Sequence, residues 1–290
     1  MNKIKDFNCT YDNPLSDFVF EDLKCEGISF PEAYLNNDDM VQFSLAIREE
    51  KKALICELPF CHTLEAEALG GIVQMGNGRI GPRTGEYIYQ NVEDLLRLPS
   101  MNFSEGRIHE TLIACRKLQA MGEHVMFEIS GPFTILNGLI DSTKVLRAMR
   151  KNPDLIDAVF ERLEVEILRF IEQIQMSGGT LISYADSAEG LKILGPKLLT
   201  QVTEKYTYPL LKKSRDLLRM NSMLLLCPKT TFALLGTDLG KYVEHSIGSL
   251  CTYEQACIDM LGTVHIAGQM CIKNKELQLT DGIFKEIQLK

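Results

Sequence analysis

The chain has 290 residues, enough for one large domain or two small ones and for burying roughly 70 to 75% of the surface of its unfolded form. Apolar residues make up 45% and charged residues 24%, values near globular averages that exclude a disordered, collagen-like or coiled-coil chain. The 31 Lys and Arg against 39 Asp and Glu leave a formal charge of −8, and without a long basic run this argues against nucleic acid as a partner.

Met1 to Asn13 is polar and lacks the apolar stretch of a signal peptide. Nowhere do about eighteen apolar residues follow one another, so a cytoplasmic protein without a membrane span is expected. Residues 1–52 read as an N-terminal extension with short helices, and 53–290 as the main domain. The nine cysteines, Cys9, Cys25, Cys56, Cys61, Cys115, Cys227, Cys251, Cys257 and Cys271, form an odd set with no C-x-x-C pair. That fits neither a disulfide framework nor a zinc ribbon, and the default for most of them is a small buried apolar side chain.

From Ala53 onward, apolar runs of strand length alternate with amphipathic stretches. Ala53 to Leu58 (ALICEL) precedes a helical pattern at Thr63 to Leu69. The Gly-rich stretch from Gly70 to Gly85, with Arg79 and Arg83, reads as a surface hairpin or a substrate-facing loop. His124 to Ile129 (HVMFEI) leads into helical patterns at Thr134 to Ile140 and Asp154 to Met176; the latter starts after Asn152-Pro153, stops at Gly178-Gly179, and presents one apolar face. Thr180 to Tyr184 (TLISY), a helix from Pro196 to Met220, Ser222 to Cys227 (SMLLLC), a short helix, Val243 to Ile247, a helix at Thr252 to Leu261 and Thr263 to Ala267 (TVHIA) complete the series. Nearly continuous apolar strands alternating with helices predict an α/β chain whose parallel sheet is covered by helices. No G-x-G-x-x-G between strand and helix, no P-loop and no G-x-S-x-G occurs, which removes most of the case for nucleotide-dependent chemistry and serine hydrolysis.

In a barrel of parallel strands, chemistry gathers where strands run out into the following loops. Those ends carry Cys61-His62, Ser130-Gly131-Pro132, Asp186-Ser187, Cys227-Pro228-Lys229 and Gly268 to Cys271, so thiols, an imidazole, a carboxylate and an amine are expected at one mouth. The plainer alternatives are a helix cap for Asp186-Ser187 and a buried structural thiol for Cys227.

Leu58 to Gly70 (LPFCHTLEAEALG), Ser130 to Thr134 (SGPFT), Asp186 to Gly190 (DSAEG) with Leu194 to Lys197 (LGPK), and Val264 to Gln269 together resemble the uroporphyrinogen decarboxylase superfamily, in particular its cobalamin-dependent methyltransferase branch. The resemblance implies a (β/α)8 TIM-type barrel, incomplete at its C-terminus, and transfer of a methyl group from a methyl-corrinoid to a small-molecule thiol such as coenzyme M, with a corrinoid protein as partner. It also implies zinc held by a His-x-Cys and a distant Cys, the metal activating the thiol.

Here the matching segment is Leu225-Leu226-Cys227, with Leu225 where the histidine belongs, and Ser246-Ile247-Gly248 stands for the usual Ser-Ile-Asp. Cys227, Cys271 and His265 are the expected substitute metal set. Cys227 and Asp186 are the expected catalytic residues, and Ser187, Cys61, His62 and Tyr184 the expected substrate contacts. Three other readings stay open: a relative that binds a corrinoid or tetrapyrrole without catalysis, a decarboxylase of a tetrapyrrole-like substrate, and a barrel completed by a second copy at a dimer interface. The decarboxylase is disfavoured because Met1 to Lys52 has no Arg-Gln-Ala-Gly-Arg signature.

Overall fold

A computed structural model describes residues 4–9, 27–248 and 250–290; Cys25 and most of Met1 to Asn13 lie outside them. In chain order, α1 (Asn37–Glu50) leads into β1 (Ile55–Leu58) and α2 (Leu64–Ala68), followed by the small strands β2 (Val73–Gln74) and β3 (Arg83–Thr84). Then come α3 (Gly106–Ala120), β4 (His124–Ser130), α4 (Pro132–Asn137), α5 (Ser142–Lys151), α6 (Pro153–Met176) and β5 (Leu181–Ala185). The last third holds α7 (Leu191–Val202), α8 (Tyr208–Leu217), β6 (Met223–Leu226), α9 (Pro228–Gly236), β7 (Gly240–Ser246), α10 (Tyr253–Asp259), β8 (Ile266–Ala267) and β9 (Ile283–Leu289). No helix among the described residues is long and apolar enough to cross a membrane.

Five strands pair in parallel in the order β1-β4-β5-β6-β8, as the alternation predicts. The pattern departs after β6. Rather than entering between β6 and β8, β7 pairs antiparallel with β9, and β9 joins β8 through Ala267↔Glu286. The physical reason lies in β7's polarity: its sequence GKYVEHS is exposed or half-buried at every position but Gly240, whereas a parallel strand between covered faces needs apolar residues on both sides. The Gly-rich stretch is the two-stranded β2/β3 hairpin, and the 1–52 region contributes Met40, Phe43 and Ile47 of α1 to the same core as the strands.

Strand alternation sorts the core into two layers. Cys56, Leu58, Val125, Phe127, Ile182, Tyr184, Leu224 and Leu226 face the helical side. Ile55, Met126, Leu181, Met223, Leu225 and Ala267 face the other, where they meet Tyr253, Ala256 and Cys257 of α10 and Ile272, Leu279 and Phe284. Among the described residues, that inner face is thus covered by one short helix and the connection from β8 to β9.

This connection is fastened by charge. Lys275 pairs with Glu57 of β1 at 3.3 Å and Glu254 of α10 at 3.0 Å, and Lys273 pairs with Glu128 of β4 at 2.6 Å. Glu254 also accepts from the backbone N–H groups of Leu54 and Ile55 at 2.9 and 3.0 Å. These donors lie at the start of β1, an edge strand of the sheet, and one buried carboxylate supplies the partner of both.

One expected helix is broken. The run predicted from Pro196 to Met220 starts at Leu191, turns at Gly195 (φ 71°), and passes through a π-turn at Thr203–Thr207 before α8. Pro196 has no N–H to donate and its ring crowds the preceding turn, and Gly195 takes the left-handed conformation a side chain would strain.

Candidate functional site

The C-terminal ends of β1, β4, β5 and β6, with the start of α9 and the connection after β8, line a narrow recess open to solvent, with an inner cavity of about 20 Å³. Its lining brings together His62, Glu128, Ser183, Ser187, Cys227, Lys229, Cys271 and Lys273, and Cys9 from the N-terminal segment. Parity explains the membership: Glu128, Ser183, Leu225 and Cys227 all fall on the inner side of their strands. Lys273 Nζ sits 2.6 Å from Glu128 Oε2, and His62 Nδ1 lies 3.9 Å from the same oxygen. Lys229 Nζ donates to the Ser187 carbonyl at 3.3 Å, which ties the β5 and β6 ends together.

Cys227 is the residue before Pro228 at the first turn of α9, and Cys271 lies in the connection after β8. Burial pushes its thiol up to about 12, with Lys273 pulling it down less than burial raises it, so Cys271 stays protonated at neutral pH.

Several expected site residues stand outside the recess. Asp186 is 1% exposed, on the helical side of β5. Its carboxylate accepts from the Phe133 and Thr134 N–H groups at 3.0 and 2.8 Å and from the Thr134 hydroxyl at 2.7 Å. It thereby caps α4, a neighbouring helix rather than the one following it in sequence. Gly131 makes the approach possible: a Cβ there would fall 2.4 Å from Asp186 Oδ2.

Tyr184 shares that parity and lies under the helices, its hydroxyl without a partner among the described residues. Cys61 faces Arg107 instead, with Nη1 at 3.0 Å and the Thr63 hydroxyl at 3.3 Å from its sulfur. His265 precedes the Leu224↔Ile266 pair and is therefore level with Met223, about 13 Å from Cys227 at 3.3 Å per strand residue.

The residues present do not make the zinc set that the resemblance implies. Leu225 offers no donor, His265 is at the wrong level of the sheet, and among the described residues no three His, Cys, Asp or Glu side chains converge as metal ligands. The residues that sequence reasoning missed are Glu128, Lys273 and Cys9. Glu128 did carry a signal, a carboxylate inside the apolar run HVMFEI.

Behind Asp186 lies a second buried carboxylate. Glu189 accepts from the Thr207 hydroxyl at 2.8 Å, and its other oxygen has no partner among the described residues. Burial, and after it the Asp186 charge, holds its carboxyl well above the ordinary range; burial likewise raises Asp186 to about 6 despite its hydrogen bonds. A group whose pKa is raised by folding stabilises the fold below its unfolded value and loses that contribution as pH rises through the folded one. Stability should therefore fall as pH climbs from about 4 past neutrality. Glu189→Gln, which mimics the protonated acid, should make that decline shallower and leave the variant more stable than the parent at pH 8. Urea midpoints at pH 5 and pH 8 measure this; parallel declines in the two proteins would refute it.

Comparisons with known proteins agree with this architecture. The family model "Uroporphyrinogen decarboxylase (URO-D)" matches residues 20–237. Among curated relatives, the methylcobamide:CoM methyltransferase MtbA of Methanosarcina acetivorans is 22% identical over 220 residues, covering 74% of this chain and 63% of that protein. MtaA of Methanosarcina barkeri is 23% identical over 178 residues, covering 60% of this chain and 52% of its own length. The chain thus spans less than two thirds of either. A solved methyltransferase from Methanosarcina mazei superposes with a TM-score of 0.61 at 20% identity, covering 78% of this chain and 65% of that one. With the family pattern running from the N-terminal region to the end of α9, through all the strand ends that form the recess except the β8 connection, the chain belongs to the uroporphyrinogen decarboxylase (URO-D) family.

Proposed function

We propose that the chain is a methyltransferase of the family's corrinoid-dependent branch, in which the recess holds a small thiol and a partner corrinoid protein presents the methyl donor at its mouth. The observation that carries this reading is the recess: an imidazole, thiols and two ammonium groups at the ends of parallel strands, in a chain whose curated relatives are methylcobamide:CoM methyltransferases. The inner cavity of about 20 Å³ is room for roughly one water, so a small acceptor would seat its sulfur there from the open side. A corrin macrocycle with its side chains needs more room and would have to stay outside.

The chemistry is a displacement. The acceptor sulfur bonds to the methyl carbon as the bond from carbon to the donor breaks, and that electron pair remains on the donor. The acceptor must therefore lose its proton first. No step is assigned to zinc. His62, whose Nδ1 lies 3.9 Å from Glu128, would take the proton, while Lys229 and Lys273 would favour the sulfur anion and any acidic group attached to it.

Incubation with methylcobalamin and 2-mercaptoethanesulfonate, with the methyl thioether quantified by mass spectrometry, tests the reading. Turnover that falls about 10²-fold or more in His62→Ala is expected of a general base. Methylcobalamin or thiol binding without any thioether would favour the non-catalytic relative, which the Leu225 replacement and the protonated Cys271 also suit.

A further inference from the structure

Residues 4–9 lie along α9, and their contacts fix a direction. A Cβ at Gly236 would come within 2.6 Å of Ile4 Cγ1, so Ile4 sits on the C-terminal end of the helix. The Phe7 ring meets Phe232 edge-on, with centroids 6.2 Å apart. Asp6 and Asn8 both reach Lys192 of α7, each at 3.3 Å. The segment therefore runs antiparallel to α9. From Phe232 to Cys227 the helix rises about 7.5 Å, and the two residues from Phe7 to Cys9 span up to about 7 Å. Cys9 thus arrives at the end of α9 that Cys227 begins, and both side chains line the recess.

We propose that Cys9 and Cys227 form a redox-active dithiol site, whose disulfide ties the N-terminal segment across the mouth of the recess. The oxidant is a low-molecular-weight disulfide. The Cys227 thiolate attacks one sulfur of it, forming a mixed disulfide and expelling one thiolate. Cys9, deprotonated, then attacks the Cys227 sulfur; the Cys9–Cys227 bond forms and the second thiolate leaves. The two protein thiols lose two electrons and their two protons, and the small disulfide becomes two thiols.

The full chain is equilibrated with 2-hydroxyethyl disulfide, remaining thiols are alkylated, and the unreduced digest is read by mass spectrometry. A peptide joining Cys9 to Cys227 is expected, with two of the nine cysteines lost from the alkylated pool. In Cys9→Ser the first step has no resolving thiol, so Cys227 should keep a 2-hydroxyethyl adduct, whereas Cys271→Ser should leave the cross-link unchanged. A Cys227–Cys271 link in its place, or Cys9 and Cys227 recovered unlinked, overturns the proposal. None of these outcomes depends on methyl transfer.

Discussion

Replacing Lys273 with Met is expected to lower the unfolding free energy by about 3–5 kcal/mol, the range found when one partner of a buried ion pair is removed. Lys273 and Glu128 are 2.6 Å apart with side chains only 9% and 5% exposed. Burial opposes the ammonium charge, but the Glu128 and Glu57 carboxylates outweigh it and hold Lys273 above its ordinary range. Taking away the cation leaves Glu128 in the wall of the recess with its ammonium partner gone and His62 3.9 Å away.

The double variant Lys273→Met/Glu128→Gln should recover most of the loss, because the cost lies in the stranded charge more than in the missing attraction. Urea unfolding of the two single variants and the double closes the cycle. Additive losses would show that the pair is not coupled and that the connection after β8 is held without it.

Much of the sheet could be read from residue order. ALICEL, HVMFEI, TLISY and SMLLLC each overlap one of the parallel strands β1, β4, β5 and β6 to within a residue at its C-terminal end, because both sides of those strands are covered and only apolar runs tolerate that. The same rule hid the departure at β7. A strand carrying Lys241, Glu244 and His245 belongs where one side meets solvent, and its pairing with β9 depends on a partner forty residues downstream, a non-local contact that no window of sequence displays. β9 itself went unread, although Phe284 faces the inner layer while Ile287 and Leu289 face the helical one, as period two requires.

The site was legible to the same degree. Residue order singles out the strand ends as a group, but which of their side chains point inward is a matter of parity. Adjacent residues in a strand go to opposite sides, so Asp186 and Tyr184 turn to the helices while Ser183 lines the recess. Parity puts Glu128 and Cys227 on the inner face together. Cys9 had no local signal at all. Its position follows from the packing of Phe7 and Ile4 on α9, a contact made across more than two hundred residues of chain.

Leu225→His tests whether a single donor separates this recess from a zinc site. Leu225 is on the inner face, two residues before Cys227 and 2% exposed. An imidazole there would share the recess with both thiols, giving the nitrogen and two sulfurs of a common zinc set. The cost is the buried leucine, about 2–3 kcal/mol of apolar burial, together with a ring nitrogen that lacks a partner until metal arrives. Binding also requires thiolates, so zinc must displace a proton from Cys271, raised to about 12, and uptake should weaken as pH falls.

The parent is expected to purify with less than about a tenth of a zinc per chain, and the variant with close to one. The variant should be less stable than the parent when stripped of metal and should gain about 2.7 kcal/mol at a hundredfold excess of free zinc over its dissociation constant. Adding Cys227→Ser should abolish uptake. Stoichiometric zinc in the parent, lost on Cys227→Ser, would mean that the parent assembles a ligand set without a donor at 225. A variant that stays metal-free would mean instead that the two thiols and position 225 cannot converge on one ion, so that the missing histidine is a consequence of a reshaped mouth rather than its cause.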